Sequence, residues 1–276
     1  MIKKSVISFL VFALAYAVLI AVFPNRGIGT HQWQENQIRA HQFLYEQTTD
    51  TVIVGTSLSA RLLADSLPTV SFCAFSACVA EDGLGLVLTK EKAPRYVLLE
   101  TNYFLRPSHG VLVKVNTQGI MPLLRKYIPM LREQNAPASL MGYCCMQGAL
   151  APKEEVDMKR LEENIANRIS DDDTHLLTDS EVEERLQVLM PLVRELEKRG
   201  TKIILFEMPL NEKLKHVASN EQTRQVIARL FPRDKYVYLP NDTTRYLTND
   251  GEHLEPDGQR RYSHYLKQQL QQIGAN

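Results

Sequence analysis

Thr51-Val52-Ile53-Val54-Gly55-Thr56-Ser57 decides the fold. A short, unalternated run rich in β-branched residues predicts a strand buried on both faces, the kind found in parallel sheets covered by helices. Gly-Thr-Ser closes that strand, and residues 58–67 read as a helix behind it. Downstream, residues 70–75 and 95–100 predict two more strands, separated by a helix over 81–92 that Pro94 breaks. Residues of about 104–177 carry no clean strand pattern. They hold helical patterns at 121–134 and 154–169, and read as a helical insertion over the sheet edge, where substrate sites are often shaped. Alternation then resumes with a helix over 181–199 ended by Gly200, a strand over 202–206, a mostly helical 211–230, a short strand over 236–239 and a last helix over 256–273 with Pro256 in its first turn. Strands alternating with helices predict an α/β fold with a parallel sheet and helices on both faces. In such sheets sites gather at the carboxyl ends of the strands. That points to Ser57, Asn102, the region of Pro209 and whatever follows Leu239.

Upstream the chain changes character. Lys3 and Lys4 precede residues 5–23, which carry no charge. At about 1.5 Å per residue such a run spans a hydrocarbon core of about 30 Å. The expectation is a membrane anchor over 1–24 and a membrane-proximal linker or helix over 25–50. A single domain over 51–276 follows. The two lysines place the N-terminus in the cytoplasm and the domain outside it, at an inner or plasma membrane. A cleaved signal peptide is the competing expectation; Phe23-Pro24-Asn25-Arg26 is a poor cleavage site, which favours the anchor.

Composition excludes some classes. With 32 basic and 32 acidic side chains the formal charge is zero, without the basic surplus that nucleic-acid binding draws on. The chain contains neither a P-loop nor H-E-x-x-H, and no cofactor is expected. Cys73, Cys78, Cys144 and Cys145 lack zinc-site spacing. An oxidising compartment would permit a disulfide, although small buried hydrophobes are the plainer expectation. Asp171-Asp172-Asp173 reads as a solvated cap or turn, so no metal is expected.

Ser57 stands where a strand ends and a helix begins, so its hydroxyl would project from the sheet rim beside helix N–H groups able to hold an oxyanion. An N-cap serine is favoured at the same place. Asn249-Asp250-Gly251-Glu252-His253, just before the last helix, adds the missing chemistry. A serine hydroxyl needs a base in contact, imidazole is that base near neutral pH, and a carboxylate must fix its tautomer. Asp250, three residues before His253, can reach back to the ring.

A glycine-serine turn after the first strand, with D-x-x-H before the last helix, resembles the SGNH hydrolase superfamily (the GDSL group). The likeness covers residue 51 to the C-terminus apart from the insertion. It implies a flavodoxin-like sheet and a triad of Ser57, Asp250 and His253. The implied oxyanion hole is made by the N–H of Ser57, a backbone N–H near Ala77 and the side chain of Asn102. The sequence departs from the pattern at Phe75-Ser76-Ala77-Cys78, where the family carries a glycine, and at Thr56, where it usually carries Asp. The anchor, G-T-S, Ala80-Glu81-Asp82-Gly83 and the E-T-N strand end are similar to SGNH-like proteins of cell-envelope polysaccharide O-acylation. That likeness implies an acyl ester hydrolase or O-acyltransferase acting on an envelope glycan beside a membrane-bound O-acyltransferase. The alternative is an inactive SGNH-like scaffold that binds glycan or such a partner.

Overall fold

The computed structural model describes residues 2–22, 28–146, 156–174 and 176–275. The described chain falls into two compact units. One comprises Met1–Glu46 with Lys114–Pro152, the other Gln47–Val113 with Lys153–Asn276. In chain order the helices are α1 (Ile2–Val22), α2 (Gln32–Tyr45), α3 (Ser57–Ala60), α4 (Ala80–Leu88), α5 (Val111–Thr117), α6 (Met121–Tyr127), α7 (Pro137–Met146), α8 (Met158–Thr174), α9 (Asp179–Lys198), α10 (Glu212–Lys215), α11 (Ala218–Leu230) and α12 (Pro256–Gln272). The strands are β1 (Thr51–Gly55), β2 (Val70–Ala74), β3 (Tyr96–Glu100), β4 (Lys202–Phe206) and β5 (Val237–Tyr238).

The second unit is an α/β domain. Its five strands are all parallel and lie in the order β2-β1-β3-β4-β5. The first three strands and most of the fourth are buried, as their unalternated apolar runs predict. On one face Ile53, Leu98, Ile204 and Phe206 pack with Leu161 of α8 and Leu266 and Leu270 of α12. On the other, α4 and α9 lie against the sheet and each other. Successive connections run one way from β1 to β2 and the other way from β3 onward. The strand order therefore reverses between β1 and β3, and the carboxyl ends at such a reversal are the usual site position in doubly wound sheets.

Two predicted helices are shorter than the sequence suggests. Over 58–67 the chain leaves α3 at Ala60, because the Leu63 N–H donates to Ser263 Oγ of α12 (3.0 Å) instead of continuing the helical ladder. A 3₁₀ turn at Ala64–Ser66 follows. Over 121–134, α6 stops at Tyr127 because Ile128 precedes Pro129 and takes an extended ψ of 88°. Two 3₁₀ turns, Pro129–Leu131 and Glu133–Asn135, complete that stretch.

The first unit contains α1, whose stretch Lys3–Val22 is long and apolar enough to cross a membrane. The proposed cleavage region, 23–26, lies outside the described residues. The linker or helix predicted over 25–50 contains α2, which buries Gln34, Asn36, Gln37 and His41 beside Ile38, Ala40 and Phe43. Gln34 and His41 find partners in the same unit. Gln34 Nε2 donates to Glu133 Oε1 (2.8 Å) and Ser139 Oγ (3.1 Å), and the Glu133 N–H donates to His41 Nδ1 (2.8 Å). Burial, aided by the nearby Arg125 charge, pushes His41 down to about 3. Residues 114–152 of the predicted insertion thus group with the N-terminal segment, while α8 stays with the sheet.

Candidate active site

The two sequence blocks that carry the chemistry meet. His253 Nε2 lies 2.9 Å from Ser57 Oγ, and His253 Nδ1 lies 2.6 Å from Asp250 Oδ2. The carboxylate takes the Nδ1–H, which leaves the Nε2 lone pair facing the serine hydroxyl. Asp250 also builds the turn that presents it, since its Oδ1 accepts from the N–H groups of Glu252 (3.0 Å) and His253 (2.8 Å). Burial alone would raise Asp250. The bonds from the His253 ring and these two amides outweigh it and hold the carboxyl well below the usual carboxylate range. Gly251 makes the turn possible: its φ is +97°, and a Cβ there would come within 2.8 Å of Leu214 and 2.9 Å of Ile165.

Ser57 is the first residue of α3, and Thr56 caps that helix by accepting from the Leu58 N–H (3.2 Å). The position favoured for an N-cap is thus filled by Thr56, and the Ser57 hydroxyl is free to face His253. Behind the turn sits Glu100, fully buried at the end of β3. Its Oε2 accepts from the N–H groups of Thr56 (3.0 Å) and Ser59 (3.2 Å), and its Oε1 accepts from Thr56 Oγ1 (2.6 Å). Burial raises its pKa against the opposing pull of those bonds. Gly55 leaves room for this carboxylate, because a Cβ there would lie 2.4 Å from both Glu100 Oε2 and Ser59 Oγ. The sequence signal for Glu100 was a lone acid closing an apolar strand; its partners lie more than forty positions earlier, at 41 and 44 residues' separation, out of reach of local pattern.

The candidate oxyanion donors stand differently. Ala77 has φ +54°, a left-handed backbone uncommon outside glycine, at the place where the family pattern has glycine. Asn102 stands two residues past the end of β3, as Ser57 stands two residues past the end of the neighbouring β1. Its amide is also tied down: Oδ1 accepts from the Met208 N–H (2.7 Å) and Nδ2 donates to the Met208 carbonyl (3.1 Å). One amide hydrogen of Nδ2 remains for another acceptor. Of the two residues before Pro209, Met208 is therefore a buried partner of Asn102. Glu207 lines a cavity of about 410 Å³ at the carboxyl ends of β3 to β5, with Thr101, Thr223, Arg224, Arg233 and Tyr238.

A second layer was not apparent from sequence. Tyr103, also at φ +54°, donates its hydroxyl to Glu252, inside the Asp250–His253 turn. Arg168 Nε of α8 lies 2.8 Å from the same carboxylate, and the Arg106 guanidinium lies 3.5 Å from the centre of the Tyr103 ring. Burial, then the Glu252 charge, raises the Tyr103 hydroxyl far above its ordinary value, so it remains a donor. The part of the insertion that stays with the sheet thus reaches the Asp250–His253 turn through Arg168.

Other candidates do not join the site. His216 pairs with Glu221 (2.8 Å) on the surface, and His264 lies beside Gln268. Cys73 and Cys78 are thiols outside any disulfide among the described residues, with burial first and Asp82 second pushing Cys78 up to about 12. The side chains of Cys144, Cys145, Asp172 and Asp173 lie outside the described residues, and among those described no acidic, cysteine or histidine group is arranged to hold a metal. Comparison with family models, curated proteins and solved structures returned no match.

Proposed function

We propose that the chain is an SGNH-type serine esterase or O-acyltransferase, anchored in a membrane and acting on an acylated envelope glycan. The observation that carries this is the unbroken chain of contacts from Ser57 Oγ to His253 to Asp250. In the reaction Ser57 Oγ attacks the acyl carbonyl while His253 Nε2 takes its proton. The N–H of Ser57, the backbone near Ala77 and the remaining amide hydrogen of Asn102 receive the oxyanion. Collapse expels the alcohol, protonated by His253, and leaves acyl-Ser57. A sugar hydroxyl or water, deprotonated by His253, then accepts the acyl group. The anchor and the likeness to envelope acylation proteins favour transfer to sugar, fed by a membrane-bound O-acyltransferase. They also favour a cytoplasmic N-terminus with the sheet unit outside.

A serine-directed fluorophosphonate tests the reading. It should label wild-type protein at Ser57. Labelling should vanish in Ser57→Ala and fall sharply in His253→Ala, which has no base. Asp250→Asn should lower turnover by about 10⁴-fold through a mis-set tautomer. A folded wild type that takes no label would leave the scaffold reading in its place.

A further inference from the structure

The membrane-proximal unit carries an apolar surface that its own fold does not cover. Ile120, Leu123 and Tyr127 are 65%, 54% and 72% exposed, and Met121, Ile128 and Leu131 are exposed beside them. Exposed side chains of this size, grouped on one short helix and the turn after it, mark an interaction surface. What covers them is indicated by α1. The 3₁₀ turn Pro129–Leu131 packs against α1, and the Tyr16 hydroxyl donates to the Asn135 carbonyl. Ile20 is buried, unlike most of α1.

Tyr16 lies inside the stretch able to span a membrane, which ends at Val22. Six residues at about 1.5 Å each put its level about 9 Å below that end. A segment that touches α1 there cannot stand clear of the bilayer. The depth matches the roughly 5–10 Å to which interfacial helices sink their apolar faces. Charge agrees: Arg132 is paired with Glu46, and of the other charges between residues 114 and 135 the chain has Lys114, Arg125 and Lys126 against Glu133 alone. A basic rim suits anionic headgroups, and Tyr127 is of the residue type that collects at the interface.

We propose that α6 and the following turn form a second membrane contact, lying in the interface of an anionic bilayer beside α1. It makes the unit monotopic as well as anchored. The inference rests on the reading of α1 as a membrane span, and is independent of the chemistry at Ser57.

Trp33 is the sole tryptophan, so a Trp33→Phe background allows single-tryptophan probes in the full chain. Four variants, Tyr127→Trp, Leu123→Trp, Phe12→Trp in α1 and Val188→Trp on the exposed face of α9, would be reconstituted separately. The vesicles are phosphatidylethanolamine and phosphatidylglycerol, with bromine placed near the headgroup end or near the methyl end of the acyl chains. Tryptophan at 127 and 123 should be quenched several times more than at 188, and more by bromine near the headgroups. Tyr127→Trp is conservative at an exposed position, which keeps the test available if Leu123→Trp misfolds. Quenching at 12 but none at 127 or 123 above the level at 188 would overturn the proposal while sparing the anchor, and would leave the surface to a protein partner. No quenching at 12 would remove the anchor and the proposal together.

Discussion

Inside the sheet unit the fully buried side chains include Ile53, Val54, Val97, Leu98 and Leu99, whereas α2 of the other unit buries Gln34, Asn36, Gln37 and His41 beside Ile38, Ala40 and Phe43. The first interior is held by apolar volume and is indifferent to orientation at any one atom. The second adds directed bonds, such as Glu133 N–H to His41 Nδ1, to its apolar contacts, and such bonds depend on the placement of single atoms. The two interiors should therefore fail in different ways when a side chain is changed.

The sharpest contrast is between Leu98→Ala and His41→Leu. The first leaves a cavity in the sheet core and should cost about 2–5 kcal/mol in denaturant unfolding. The second adds apolar surface yet should still destabilise, by about 1–3 kcal/mol, because the Glu133 N–H loses its acceptor. A His41→Leu protein as stable as wild type would dissolve the contrast. The same substitution should change acid behaviour. His41 is held down to about 3 in the fold against an ordinary 6.5. Its contribution to stability is therefore full above 6.5 and drains away as pH falls toward the folded value. A melting-temperature series against pH should be flatter on this side in His41→Leu.

Next in size is Asn102→Ala, which probes where the sheet unit abandons apolar packing for directed bonds of its own. Turnover should fall by about a hundredfold or more, the usual loss of one oxyanion donor. Stability should fall as well, by about 1–3 kcal/mol, since both polar groups of the Met208 backbone lose their partner. Normal turnover in a destabilised protein would make Asn102 a strut and no more.

The smallest effect is expected at Glu100, the sheet unit's buried titrating group and the opposite of His41 in sign. Its pKa is raised by burial from 4.5. Its contribution is thus complete below 4.5 and lost as pH rises through the folded value. Glu100→Gln should remove that decline, which a stability series starting at acid pH would detect.

The contrast also explains what was legible in the sequence. β1, β3 and β4 announce themselves as apolar runs, and Ser57, Asp250 and His253 stand out because only a few residue types do their work at that spacing. The polar interior of α2 carries no clean periodic signature, so the segment reads as a linker or a helix without a predicted buried face. Its identity depends on residues 133–139, about a hundred positions away. Glu100, Tyr103 and Glu252 escaped for the same reason. A carboxylate's sequence context does not say whether it will meet water, an arginine or two buried amides. The break in the predicted helix at Ile128 was visible as Pro129, but the early end of α3 was not, because it depends on Ser263.

The loop after β3 has a consequence for motion. Asn102 ties it to the end of β4, and Tyr103, the next residue, ties it to the turn that carries Asp250 and His253. With Glu100 gripping the turn of Ser57, one short segment holds three chain ends that have no sequence proximity. Moving the backbone turn of Asp250 and His253 away from the serine would strain the Tyr103 bond to Glu252 as well as the bond from the His253 ring, each worth about 1 kcal/mol net. The cleft is thus set before any substrate arrives. On the proposed function, the ordering entropy of an acyl transfer would be met during folding, with little rearrangement left for each turnover.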